Sequence, residues 1–456
     1  MNHRRPMLRS SLALAGVLWA AAAASAATFT VNTIPDLQSR INSAVAGDTI
    51  IVANGVYTTS AVININRQGT AAARITIAAE TVGGVRITGT HGFSVNSPAT
   101  HVTIQGFVFA HISGRNNIRS GATHVRFTRN TFECTGDGAY LTVAGHDAVV
   151  DYNEFRNKST VGNMLDVRGT GSQIAQRVWV HHNYFHDFDA AGVNGAETLR
   201  YGLSGLSLSD GFGIIEHNLF VRCTGELEII SIKNSRNIIR FNVLLDSPGT
   251  QLTLRHGNDL TVYGNYLKNT DGIRIFGDRH RVFGNVVEDS ASGIQIGNGD
   301  GEVADGAPLT AHDRPDFCVI TSNALINNGT AYVMSGRTNP LGATNTTFSY
   351  NFIYGGGATV ASIRGPYTNP TWTGNILVNT GSPGHLPPGS YIILPPPAGG
   401  GDPFGGVTLR PGTLSAGDDG RAATVGPTAA PAPAPVPLPP GGGPGTPAFP
   451  TMPTIP

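Results

Sequence analysis

Three cysteines in 456 residues, at positions 134, 223 and 318, are too few and too far apart for a disulfide framework. The fold must therefore be held by its core, and the chain is long enough to build a large one. Charge is scarce too: 13% of the residues carry it, and 30 basic residues balance 30 acidic ones. No global field draws such a protein to nucleic acid or a membrane surface, so attraction to a polyanion must come from a local patch. Beyond the leader described next, no run is long and apolar enough to cross a membrane as a helix. Helical periodicity is missing from most of the chain.

Met1 to Ala26 combine a basic start (Arg4, Arg5, Arg9), an apolar run "LALAGVLWAAAA" and a small-residue end "ASA". This is the pattern of a cleaved secretion signal, and it predicts a secreted or periplasmic protein cut after Ala26. No cysteine follows the cut, so a lipid anchor is not expected. At the other end, residues 396–456 include "AAPAPAPVPLPPGGGPGTPAFPTMPTIP". Such a segment cannot bury a core and reads as an extended, disordered tail. Residues 27–395 remain as the folded domain.

One pattern recurs through that domain, an Asn followed by two residues that are usually apolar or aromatic. It occurs as "RNTF" at Asn130, "YNEF" at Asn153, "HNYF" at Asn183, "HNLF" at Asn218, "FNVL" at Asn242 and "GNYL" at Asn265. It continues at Asn285, Asn323, Asn351 and Asn375. The gaps are mostly 20 to 30 residues, with two longer ones that imply inserted loops. A period in this range marks a solenoid. Short β-branched runs between Gly, Asn and Asp make it all-β, a single-stranded right-handed parallel β-helix. Residues 27–50 fit an N-terminal cap, with Leu37, Ile41 and Ala44 on one face of a short helix that Gly47 would end.

Register follows from alignment. "QLTLRHG", "DGIRIFG" and "SGIQIGN" match at steps of 21, which predicts inward columns Leu252/Ile273/Ile294 and Leu254/Ile275/Ile296. Thr253, Arg274 and Gln295 then face outward. One coil earlier, a step of 22 sets Ile230 with Leu252, Ile232 with Leu254 and Lys233 with Arg255. That coil contains "GELEIISIKN" (Gly225 to Asn234), with two carboxylates and an amine in an apolar strand. Strict alternation would turn Glu226 and Glu228 inward. A bulge at Ile229-Ile230 resets the parity, so that Leu227 and Ile229 point in while Glu226, Glu228, Ser231 and Lys233 point out. A plain surface salt bridge is one account of these charges. A hard-cation site with oxygen ligands is the other.

"NGAETLRYG" (Asn194 to Gly202), "ELEIISIKN", "LTLRHGN" (Leu252 to Asn258) and "GIRIFG" (Gly272 to Gly277) occur in this order. The set resembles the polysaccharide lyases that include alginate lyases and chondroitinase B, and is closer to the alginate-cleaving members. The resemblance runs from the cap to about residue 390. It implies a Ca²⁺ site on Asn194, Glu226 and Glu228, a base at Lys233 and an acid at Arg255. It further implies substrate contacts at Arg274, Arg200 and His256, an anionic polysaccharide as partner, and a monomer or dimer. The chemistry is consistent with these types. Elimination across a uronate removes the C5 proton beside a carboxylate, and a bound cation neutralises that charge. The lysine must be neutral to take the proton. Arginine, with its high pKa, suits stabilising the leaving oxygen better than protonating it.

Four rivals stand beside this expectation. "NTDGIRI" (Asn269 to Ile275) resembles a piece of the pectin-hydrolysing β-helix enzymes, but hydrolysis needs paired acids, and the next coil offers "GIQIGNG". Asp271 therefore reads as a turn residue. "HHNYFHDFD" (His181 to Asp189) suggests a transition metal, yet His182 precedes the repeated Asn at a position that is His217, Phe241 or Gly264 elsewhere, a turn flank. Chondroitin or dermatan sulfate remains an alternative substrate, and a polysaccharide-binding β-helix without catalysis an alternative function.

Overall fold

The computed structural model describes residues 26–112, 116–357 and 359–396. The expected leader and tail, apart from Ala26 and Pro396, lie outside these residues. Three parallel sheets of 14, 13 and 14 strands run the length of a right-handed parallel β-helix, each coil giving one short strand to each sheet. Among the described residues there is one α-helix, Ile34–Ser43. The Thr33 hydroxyl caps it by accepting from Asp36 N–H, and it buries Leu37 and Ile41 on the first coil. The helix ends at Ser43, before the expected stop at Gly47. Asp48 takes the Val45 N–H at 2.9 Å, and the chain turns extended at Ala44.

The predicted columns are in register: Leu252 pairs with Ile273 and Ile273 with Ile294, and Leu254 with Ile275 and Ile275 with Ile296. All six are buried, each worth about 1.5–3 kcal/mol of apolar transfer. Under the third sheet, Phe132, Phe155, Phe185 and Phe220 stack along the axis at 4.6, 4.7 and 4.6 Å.

The repeated Asn forms a buried ladder. Each backbone N–H and side-chain NH₂ donates to the Oδ1 of the next rung, as Asn218 does to Asn242 at 3.1 and 3.0 Å. The NH₂ also donates to a carbonyl of the preceding coil, such as Asn242 to Ile215 O at 2.9 Å. The residue before each rung takes a left-handed conformation, as at His182 (φ 54°), His217 (53°) and Phe241 (54°). Side chains there project from a corner, and His182 lies stacked between Tyr152 and His217. All three cysteines are buried and free. No helix among the described residues is long and apolar enough to cross a membrane.

Candidate active site on the second sheet

The outward row of the second sheet reads Asp166, Arg200, Ser231, Thr253, Arg274 and Gln295 on successive coils. The strand Glu228–Lys233 supplies its centre. Glu228 pairs with Gln251 and Ile230 with Leu252, so Ile229 is one residue extra, which is the expected bulge. Ile229 and Ile230 are both buried, and Glu228 faces out beside Ser231, whose hydroxyl donates to it.

Two details differ from expectation. Leu227 points outward and is 61% exposed, because it precedes the strand and alternation does not govern it. Lys233 pairs with His256, not Arg255: the step between coils lengthens by one after Ile232–Leu254, leaving Arg255 as a second bulge. The chain then leaves the sheet through Gly257 (φ 90°), where a Cβ would lie 2.3 Å from the Asn234 carbonyl carbon. Glycine in "RHGN" thus permits the close approach of two coils at the site.

A third carboxylate joins the predicted pair. Oxygens of Glu197, Glu226 and Glu228 lie within 4.8 Å of one another, the one such acidic or histidine-rich group among the described residues. Glu197 sits just before the strand Leu199–Gly202 and is buried. It accepts from Asn163 Nδ2 at 2.8 Å and from Lys233 Nζ, and lies 3.8 Å from Arg200. Burial alone would raise its carboxyl, but the Lys233 and Arg200 charges outweigh that and hold it below the usual range. Glu226 goes the other way. Burial, then the Glu197 charge, push it up to about 7, against the pull of the Gly195 N–H at 2.7 Å. Asn194, exposed, is the residue before that glycine.

Such a cluster brings three carboxylates together beside Lys233 and Arg255, and its donors are all hard oxygens. Ca²⁺ binds oxygens at about 2.3–2.6 Å, so one ion reaches oxygens up to roughly 5 Å apart. The residues fit that cation. Sequence reasoning missed Glu197 although it lies inside the quoted "NGAETLRYG"; an acid immediately ahead of a site-sheet strand was the available signal.

Cations line the rest of the groove. Arg255 lies 3.7 Å from Glu228, and its Nη1 is buried without a hydrogen-bond partner among the described residues. Arg274 stacks over Phe276 at 4.7 Å with no carboxylate partner there. Burial lowers both guanidinium pKa values from the ordinary arginine value. Arg200 is forked onto Asp166 at 3.0 and 2.9 Å. His256 is buried, and burial followed by the Arg255 and Lys233 charges pushes it down to about 3, so it is neutral. The segment between Asn298 and Asp316 adds His312 beside His256 and Phe276, and Arg337 beyond it. These too were unseen in the sequence beyond the long Asn285-to-Asn323 gap.

The rival sites do not assemble. Asp271 precedes the strand Ile273–Ile275, and its carboxyl is raised by burial alone, with no second acid contributing. His181 and His182 bond each other at 2.9 Å and form no three-ligand group.

A model of the chondroitinase B family matches residues 31–339. In three dimensions the chain is similar to the PL6 family alginate lyase AlyGC, with TM-score 0.72 and 25% identity over 81% of this chain and 53% of that one. This chain thus spans about half the length of that relative. A mannuronic acid specific polysaccharide family 6 lyase from human gut microbiota gives 0.74 at 21% identity, covering 88% and 96%. A PL6 alginate lyase in complex with a trisaccharide gives 0.65 at 19%, covering 78% and 86%. The last two likenesses speak for the fold alone. No curated protein matches in sequence.

Proposed function

This chain belongs to the chondroitinase B family, and from that membership we propose that it is an exported polysaccharide lyase. Its substrate is a uronate polymer, alginate ahead of chondroitin or dermatan sulfate, cut by β-elimination to leave a 4,5-unsaturated end. One observation carries the reading: three clustered carboxylates, a lysine and two arginines share one outward face. A surface salt bridge needs neither the cluster nor the groove.

Glu197, Glu226 and Glu228, with Asn194 beside them, would hold Ca²⁺. Bound there, it would neutralise the substrate carboxylate and so acidify the C5 proton. Lys233, in its neutral form, takes that proton. Arg255 directs an N–H donor at the leaving O4, where charge develops. Arg274, without an ion-pair partner among the described residues, holds a substrate carboxylate bidentately. Arg200 is committed to Asp166 and aligns Glu197. His256, neutral and buried, supports Lys233 and Arg255 from behind. The alginate preference is supported by the AlyGC likeness at 25% identity and by the "NGAETLRYG" and "LTLRHGN" motifs. The leader pattern supports export.

The test is far-ultraviolet absorbance on polymannuronate, polyguluronate and dermatan sulfate, with and without EDTA. A rise on an alginate block that EDTA abolishes is the expected result. No rise on any of the three removes the lyase reading, and full activity after thorough chelation removes calcium.

A further inference from the structure

The widest gap in the Asn ladder, from Asn285 to Asn323, is bridged by a segment whose His312 lies against the site sheet. Its ring is 4.7 Å from Phe276, whose own ring carries the Arg274 guanidinium, and 6.5 Å from His256. Arg337 fixes its other side. Nη2 donates to His312 Nδ1 at 3.1 Å, Nη1 donates to Asn298 O at 3.2 Å, and the guanidinium is ion-paired with Asp300. The Asp300 carboxylate lies 3.5 Å from the same imidazole nitrogen.

A guanidinium has only donors, so Nδ1 must accept, and the proton of a neutral imidazole then sits on Nε2. Burial, and after it the Arg255 and Arg337 charges, hold the ring below its ordinary pKa, with Asp300 opposing. His312 is therefore an uncharged, oriented N–H donor in a wall of arginines.

We propose that His312 is a further substrate-binding residue of the groove, giving its Nε2–H to an oxygen of the polyuronate next to the unit held by Arg255 and Arg274. Arg337 is its positioning residue. The two functions are complementary. Guanidiniums take carboxylates, whereas a neutral imidazole takes a hydroxyl or ring oxygen without demanding charge. Successive coils are about 4.8 Å apart, so residues on neighbouring coils can grip neighbouring sugars of one strand laid along the axis.

Because this role presupposes the lyase reading, two measurements separate them. In the first, saturated hexamers of alginate and of dermatan sulfate are titrated calorimetrically into the full chain carrying Lys233→Ala, with and without His312→Ala. Affinity for the hexamer that binds is expected to fall about five- to tenfold. In the second, KM and kcat are measured on the cleaved polymer. His312→Ala and Arg337→Ala should each raise KM by a similar factor with kcat changed less. Arg337→Ala should add little once His312 is gone, and His312→Gln, which keeps an N–H donor, should recover most of the loss. A purely structural role would instead lower apparent kcat and the melting midpoint with KM little changed, and with no rescue by Gln. Unchanged affinity and KM overturn the His312 assignment while elimination by the wild type keeps the lyase reading. A chain that cleaves nothing yet binds a hexamer more weakly without His312 refutes the lyase and keeps the binding role. A chain that neither binds nor cleaves refutes both.

Discussion

Glu197 and Lys233, 36 residues apart, meet in an ion pair across adjacent coils, with Glu197 1% and the Lys233 side chain 14% exposed. Glu197 uses Oε1 for Lys233 and Oε2 for Asn163, while also belonging to the three-carboxylate cluster. The proposed cation site and the proposed base therefore share one side chain. Paired buried charges of this kind depend on both partners, and removing one leaves the other uncompensated.

Replacing Glu197 with Gln keeps the shape and the Asn163 contact but removes a charge from the cluster. Calcium affinity, read by calorimetry, should fall about tenfold or more. An unaltered affinity would take Glu197 out of the cation site.

The Lys233→Ala chain should lose elimination by about 10²–10⁴-fold, the usual worth of a positioned base. Its affinity for a saturated uronate hexamer should persist, since Arg274 and Arg255 remain. Residual elimination close to wild type would sink the base assignment.

Glu226 predicts a pH dependence. Its folded value of about 7 exceeds the ordinary 4.5 because of burial and the Glu197 charge. A proton must leave before it can ligate, so calcium affinity should rise with pH up to about 7 and flatten above it. Without a cation the sign for folding is opposite. Between about 4.5 and 7 the native chain holds a proton the unfolded chain has lost, so this group's contribution to stability falls as pH rises. Calorimetry on both sides of pH 7 checks the first claim, and a flat affinity contradicts it.

Lys158 offers a second titration away from the groove. It is buried, donates to Thr160 Oγ1 at 2.9 Å and lies over the Tyr140 ring. Burial lowers its pKa from 10.5 to about 8. Between these values the unfolded chain binds the extra proton, so stability should increase as pH rises through that window. Thermal melts of wild type and Lys158→Met should diverge there, the variant lacking the increase. Parallel curves would show that Lys158 is not the group responsible.

In the ladder, Asn242→Ala orphans the Asn218 N–H, takes one acceptor from the Asn218 NH₂, which keeps Val180 O and Glu216 O, and removes donors to Ile215 O and Asn265 Oδ1. Each orphaned buried group costs about 1–3 kcal/mol. The melting midpoint should drop by several degrees, whereas Asn32→Ala, at an exposed residue outside the ladder, should change it little. Equal effects would deny the ladder its role.

Much was legible in the chain before it was folded. The Asn rungs, the Leu252 and Leu254 columns and the bulge at Ile229 follow from period and alternation, which are local properties of a strand sequence. Where the period slips, legibility ends. One residue inserted at Arg255 moved Lys233 opposite His256, and composition carries no mark of such a slip.

The sequence by itself determined the β-helix, the strand that bears the charges and the family to which it belongs. Each of these is written in repeats or in short contiguous motifs. Tertiary structure alone decided that Glu197 completes the carboxylate cluster, that Arg200 is spent on Asp166, and that His312 and Arg337 return to the groove. Those contacts join residues tens of positions apart, on neighbouring coils or in the inserted loops between them, and the partners meet only when the coils stack.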